Sequence, residues 1–187
     1  MRMLRVDMEG LRTWTEEVPK EYEILGNRGL IAKMMIKEVP PTCHPLGPYN
    51  KLIFASGPLA GTGVPTSGRL SVGGKSPLTG GIKESNSGGT FATQLVQNAI
   101  KAIVVENKPR DSRLYILYVS EDRFEIIPSE DLRGLGNYAV HHKLLERFGK
   151  DSAIVSIGPA GEQKLLTSGI FGSDIEGLPG AVCARGA

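Results

Sequence analysis

The chain has 187 residues, room for one large domain or two small ones around a real core. Hydrophobic residues at 40% and charged residues at 22% exclude wholesale disorder, while a net charge of +2 and aromatics at 6% give neither the field nor the stacking platform for nucleic acid. No apolar run nears 18 residues, and charges stand in Met1-Arg2-Met3-Leu4-Arg5-Val6-Asp7 where a signal peptide needs its apolar core, so the expectation is a cytoplasmic chain without a membrane span.

In chain order, Leu4 to Met8 reads as a strand, with Thr13 to Val18 pairing back as a hairpin. Gly26-Asn27-Arg28-Gly29 opens a helix whose Leu30, Ile31, Met34 and Met35 share one face, and Pro40-Pro41 stops it. Lys51 to Ser56 is a buried-type strand ending at Gly57-Pro58. Then comes PTSGRLSVGGKSPLTGGIKESNSGG, residues 65–89, with seven glycines in 25 residues. Its composition fits either a slack connector or a backbone shaped against a ligand.

Thr90 to Ile100 follows as a helix with Phe91, Ala92, Leu95, Val96 and Ala99 on one face. Ala102 to Glu106 is a strand, and Arg113 to Val119 with Arg123 to Ile127 a hairpin. Asn137 to Phe148 is a helix stopped by Gly149. Ser152 to Ile157 is a strand ending in Gly158-Pro159-Ala160-Gly161, and Leu165 to Phe171 one more. This order predicts an α+β fold. The strand and Gly-Pro pair at 53–61 echo those at 154–161; duplication and chance are both open for so short a likeness.

The common phosphate motifs fail. Gly74-Lys75-Ser76 ends like a Walker loop, but Arg69 stands where the first glycine is needed and Gly68 is one residue early. Gly134-Leu135-Gly136-Asn137-Tyr138-Ala139 follows polar Ser129-Glu130-Asp131, not the buried strand a dinucleotide site requires. Anion binding at Ser87-Gly88-Gly89 stays open: these residues precede a helix that Asn86 could cap, and Arg69 and Lys75 could supply charge. Cys43-His44 reads as loop, not metal pair, and of His141-His142 one ring is expected buried and one solvated. Two cysteines, Cys43 and Cys183, cannot hold a four-thiolate cluster.

The blocks NRGLIAKMMIKEVPP, NKLIFASGPLAGTGVPTSGR, KSPLTG, NSGG, AIVVE and SIGPAGE occur in one order. In them the chain resembles the N-terminal domain of the tungsten-containing aldehyde:ferredoxin oxidoreductase family over nearly its whole length. The resemblance implies an α+β fold of two β3-α-β3-α-like repeats forming a mixed sheet or barrel. It implies one domain, 1–187, that binds a tungsten (or molybdenum) bis-pterin with Mg2+ and ends within the last cofactor loop. By position, Arg69 matches an arginine between a pterin and a 4Fe–4S cluster, Asn86 a residue whose carbonyl binds Mg2+, and Gly88 a pterin contact. In the last loop Ala181 replaces the motif's first arginine, and Val182 falls at the second Mg2+-binding carbonyl. Arg185 and Gly186 match the loop's later part, and Ala187 replaces its final glycine.

The cluster is not ligated by this chain. C-terminal domains or a partner subunit would supply it, with ferredoxin as electron acceptor for aldehyde oxidation to the acid, and a homo-oligomer is compatible with this. The alternatives are a non-catalytic truncated or standalone module, or part of an aromatic acyl-CoA reductase-type subunit.

Overall fold

The computed structural model describes residues 1–185, and side chains for 1–180. Gly186 and Ala187 lie outside the described residues. The strands and helices run β1 (Arg2–Asp7), β2 (Arg12–Glu17), α1 (Asn27–Glu38), β3 (Lys51–Ser56), β4 (Leu70–Lys75), β5 (Ile82–Ser87), α2 (Phe91–Gln97), β6 (Ile100–Glu106), β7 (Tyr115–Val119), β8 (Phe124–Pro128), α3 (Asn137–Phe148), β9 (Val155–Ile157), α4 (Pro159–Glu162), β10 (Gly169–Gly172) and β11 (Ala181–Arg185). Short 3-10 turns, Lys20–Tyr22 and Glu130–Leu132, precede α1 and α3.

Six strands form a mixed sheet ordered β2-β1-β6-β3-β4-β5, in which only β1 and β6 pair parallel. Separate sheets are β11-β10-β9 and β7-β8. This is the expected mixture of α and β.

Alternation along β1 explains how the sheet is covered. Met3 faces one way and packs with α1 through Leu30, Ile31, Met34 and Met35. Leu4 and Val6 face the other way and join Leu70, Val72, Ala92, Leu95 and Ile103. Burial of each such side chain contributes about 1.5–3 kcal/mol. A third cluster, Leu132, Val140, Leu144 and Ile154, holds α3.

Both long helices stop as their sequences predict. Val39 is extended ahead of Pro40, and Gly149 takes φ +99°. α2 is shorter than expected because Ala99 adopts φ +58° and Ile100 already pairs as strand.

The undecided stretch 65–89 is mostly a β-hairpin. β4 is buried along its whole length, and β5 is the outer strand of the sheet. Gly73 is required there by contact: a Cβ would sit 2.6 Å from the Lys83 carbonyl and 2.9 Å from Ile31 Cγ2. Lys75 does not reach an anion site. It is buried, and its ammonium donates to the carbonyls of Pro41 and Cys43, the latter at 2.7 Å. His141 is buried, with Nε2 3.0 Å from Ser156 Oγ, and His142 is exposed. Burial pushes the His141 pKa below its ordinary value of 6.5.

One ionic cluster ties β1 to α1 and the neighbouring strands. Arg5 donates to Glu16 at 2.8 Å and to Glu38 at 2.6 and 3.1 Å, and Lys51 pairs with Glu106 and with Glu38 at 3.4 Å. Burial alone would raise the Glu38 pKa, but Arg5 and Lys51 outweigh it and hold the carboxyl below the ordinary 4.5.

A depressed acid stabilises the fold above its unfolded pKa and loses that contribution as pH falls through the folded value. Glu38→Gln is therefore expected to cost about 1–3 kcal/mol at pH 7. The deficit should shrink as pH falls below 4.5. Urea denaturation of both proteins at pH 7 and pH 3.5 checks this. His141→Gln should flatten the decline in wild-type stability as pH drops below 6.5, since the unfolded imidazole takes its proton first. The same titration series measures it.

Candidate functional site

The site grows from the start of β4 and the end of β5. The register pairs Ser71 with Asn86 and Leu70 with Ser87, which brings Arg69 beside Asn86. The Arg69 guanidinium donates through Nε to Asn86 Oδ1 and through Nη2 to the Asn86 carbonyl at 3.2 Å. Arg69 is nonetheless exposed, so one face of its charge is open to solvent.

Ser71 organises the corner from beneath. It is fully buried, and its hydroxyl donates to Glu84 Oε1 at 2.5 Å. It accepts from Asn86 Nδ2 at 2.9 Å and from Asn27 Nδ2 at 3.1 Å. One donor and two acceptor positions are all that a hydroxyl has, so it is saturated. Asn27 also donates to the Arg69 carbonyl at 3.3 Å, and Arg28 pairs with Glu84 at 2.8 Å. The first turn of α1 thus fixes the backbone of Arg69 and the side chain of Asn86. Asn27 takes φ +45° to do so, a conformation asparagine tolerates better than most.

Asn86 does not cap α2, since it belongs to β5 and its amide is engaged with Ser71 and Arg69. Thr90 occupies the N-cap without a side-chain cap bond, and its N–H goes to the Ser173 carbonyl at 3.2 Å. Two glycines that follow β5 differ in kind. Gly89 has φ +111°, where side chains are strained. Gly88 has no such φ, is exposed, and the nearest atom to a Cβ there is Arg69 Nη1 at 3.9 Å. Among the described residues no close contact demands glycine at 88.

The expected residues converge in part. Arg69, Asn86 and Gly88 form one open corner. β11, which contains Ala181 and Val182, pairs with β10 (Phe171 opposite Val182) and runs alongside β5 and β4. Among the described residues no group of three or more His, Cys, Asp or Glu side chains could hold a metal. Cys43 is buried in its loop, and His44 Nδ1 accepts the Leu46 N–H at 3.1 Å. The Asn86 carbonyl accepts from Arg69 Nη2, and a carbonyl oxygen has a second lone pair of the kind that hard cations take. Sequence reasoning missed Asn27, Ser71 and Glu84, which make no motif and meet only through strand register and helix packing.

No helix of the described structure is long and apolar enough to cross a membrane. Residues 3–186 match the family profile described as aldehyde ferredoxin oxidoreductase, N-terminal domain. The tungsten-containing aldehyde ferredoxin oxidoreductase of Pyrococcus furiosus is 40% identical over 175 residues, 91% of this chain and 28% of that protein. That of Pyrococcus horikoshii is 42% identical over 160 residues, 85% of this chain and 26% of that protein. Among solved structures, the active-site complex BamBC of benzoyl coenzyme A reductase with 1,5-dienoyl-CoA superposes with a TM-score of 0.90 at 29% identity, covering 99% of this chain and 28% of that one. The chain spans about a quarter of the length of these curated relatives. On this match across its length, the chain belongs to the aldehyde ferredoxin oxidoreductase family and corresponds to its N-terminal domain.

Proposed function

We propose that this domain is the base on which a tungsten (or molybdenum) bis-pterin sits in an aldehyde:ferredoxin oxidoreductase-like enzyme. The observation that supports it best is the corner of Arg69, Asn86 and Gly88, open outward and braced from within by saturated Ser71. The cofactor would supply the oxidation of aldehyde to acid, with electrons leaving through a 4Fe–4S cluster to ferredoxin. The domain's own residues orient and neutralise. Arg69 presents a fixed positive charge to pterin phosphate and to the cluster side. Asn86, and Val182 in the last loop, would hold the Mg2+ through their backbone carbonyls. Gly88 leaves room for a ring or phosphate at backbone distance. Ala181 has no charge to add.

The chain lacks the thiolates for the cluster, so C-terminal domains or a partner subunit complete the catalytic site. The domain is not catalytic alone in this reading. Two β3-α-β3-α-like repeats, the second ending near the last cofactor loop, are the fold we propose for the complete unit. The same Leu-Gly-Asn opens α1 and α3, each of 12 residues, which supports that reading. A second reading makes the parent an aromatic acyl-CoA reductase-type subunit, favoured by the superposition on benzoyl coenzyme A reductase. Identity to the aldehyde oxidoreductases, 40–42% against 29%, favours the first.

The test joins this chain to the C-terminal remainder of the Pyrococcus furiosus relative and measures bound tungsten by mass spectrometry and pterin by fluorescence. Arg69→Ala is expected to lower cofactor retention at least tenfold, about 1.4 kcal/mol or more. Gly88→Ala should do so without loss of stability, because a Cβ at 88 meets only Arg69 Nη1, at 3.9 Å. Unchanged tungsten and pterin in both variants would rule out the site. Ser71→Ala strands two amide donors and a carboxylate, so denaturation should show a loss of about 1–3 kcal/mol whether or not cofactor is present.

A further inference from the structure

His141 stands outside the candidate site, and its hydrogen bonding is incomplete. It belongs to the buried stripe of α3, at 2% exposure, with Nε2 3.0 Å from Ser156 Oγ on β9. Ser156 gives its own proton to Asn137 Oδ1 at 3.3 Å. Its oxygen is therefore the acceptor, and His141 carries its hydrogen on Nε2. Nδ1 is left with a lone pair. Among the described residues that buried atom has no hydrogen-bond partner.

The loop 174–180, between β10 and β11, passes against this part of α3. A Cβ at Gly177 would sit 3.5 Å from Leu145 Cδ1, one turn beyond His141. The loop starts from a fixed point, since the Ser173 N–H donates to the Ile154 carbonyl and Ser173 Oγ accepts the Ile154 N–H, both at 2.8 Å. Asp174 shapes it from within, its Oδ1 accepting the N–H groups of Glu176 and Leu178 at 2.9 Å. The tip is open to solvent, with Ile175 88% exposed. Few charges face the ring. The loop brings the Gly177 backbone and the Asp174 carboxylate, both of which favour a proton on the imidazole, while burial opposes one and prevails. Glu176 is exposed, β9 brings no charged residue, and on α3 itself His142, Lys143, Glu146 and Arg147 are exposed.

We propose that His141 is a proton-released latch for the 174–180 loop. While the ring is neutral, the loop lies closed on α3. An added proton goes to Nδ1, and the imidazolium then has two N–H donors. Ser156 satisfies one of them, but the closed loop completes no bond to the other. A buried charge short of one partner gains from water, and lifting the loop from α3 admits it. The closed form holds the proton less tightly than the ordinary imidazole that a lifted loop exposes, so falling pH favours the lifted form. The loop leads into β11, where Ala181 and Val182 stand. What the latch controls thus rests on the cofactor reading, but the release does not, and it is read on this chain alone.

The test follows amide exchange and imidazole resonances of the full 187-residue chain by NMR. Between pH 7.5 and 5.5, protection of the Gly177 and Leu178 amides, corrected for the intrinsic effect of pH, should fall by about threefold or more, while β1 and β6 keep theirs. His142→Gln should behave as wild type. His141→Gln keeps a donor for Ser156 but binds no proton, so its loop should be equally protected at both pH values. In wild type the amide shifts of 176–178 should move with the midpoint at which His141 itself titrates, below 6.5. Constant protection in the wild type, an equal fall in β1 and β6, or an undiminished fall in a folded His141→Gln variant would overturn the proposal. So would loop amides that titrate at a midpoint other than that of His141, a comparison that needs no variant.

Discussion

A single buried hydroxyl holds the candidate site in shape. Ser71 gives its one proton to Glu84 and takes one bond each from Asn27 and Asn86. Those three partners come from α1 and β5, so the hydroxyl joins the helix start to the outer strand across β4. Arg69 inherits its position from this knot, through Asn27 on its carbonyl and Asn86 on its guanidinium. A charged side chain that is exposed at its tip and fixed at its root suits binding better than a free surface arginine, because less rotamer freedom is lost on contact.

The same hairpin shows why part of the fold was hard to see in the sequence. α1, β3 and α3 fall where periodicity and stop residues put them, since each buries one clear stripe or run. β4 buries every residue, yet two of its six are glycine and leave no pattern to read. β5, Ile-Lys-Glu-Ser-Asn-Ser, is polar because its side chains serve the network beside α1 and Arg69. Lys75 looked available for an anion and is instead spent on two carbonyls of the 41–43 loop. Arg69, Asn86 and Gly88 were legible from their residue types as a possible anion site, and their separate roles only by resemblance; their convergence depends on the register of β4 against β5.

The domain divides its labour between two halves. The first is a six-stranded sheet with a helix on each face. The second has matching parts in the same order, but its strands remain in two groups on either side of an apolar gap. β11 crosses from the second half to lie along β5 and β4.

The most direct measurement is the anomalous scattering of tungsten in crystals of this chain joined to the C-terminal remainder of a relative. The account places the tungsten peak beside the end of the β4–β5 hairpin, on the Gly88 side, with the Arg69 guanidinium turned towards the cofactor. A peak elsewhere on the domain, with Arg69 facing bulk solvent, would contradict it.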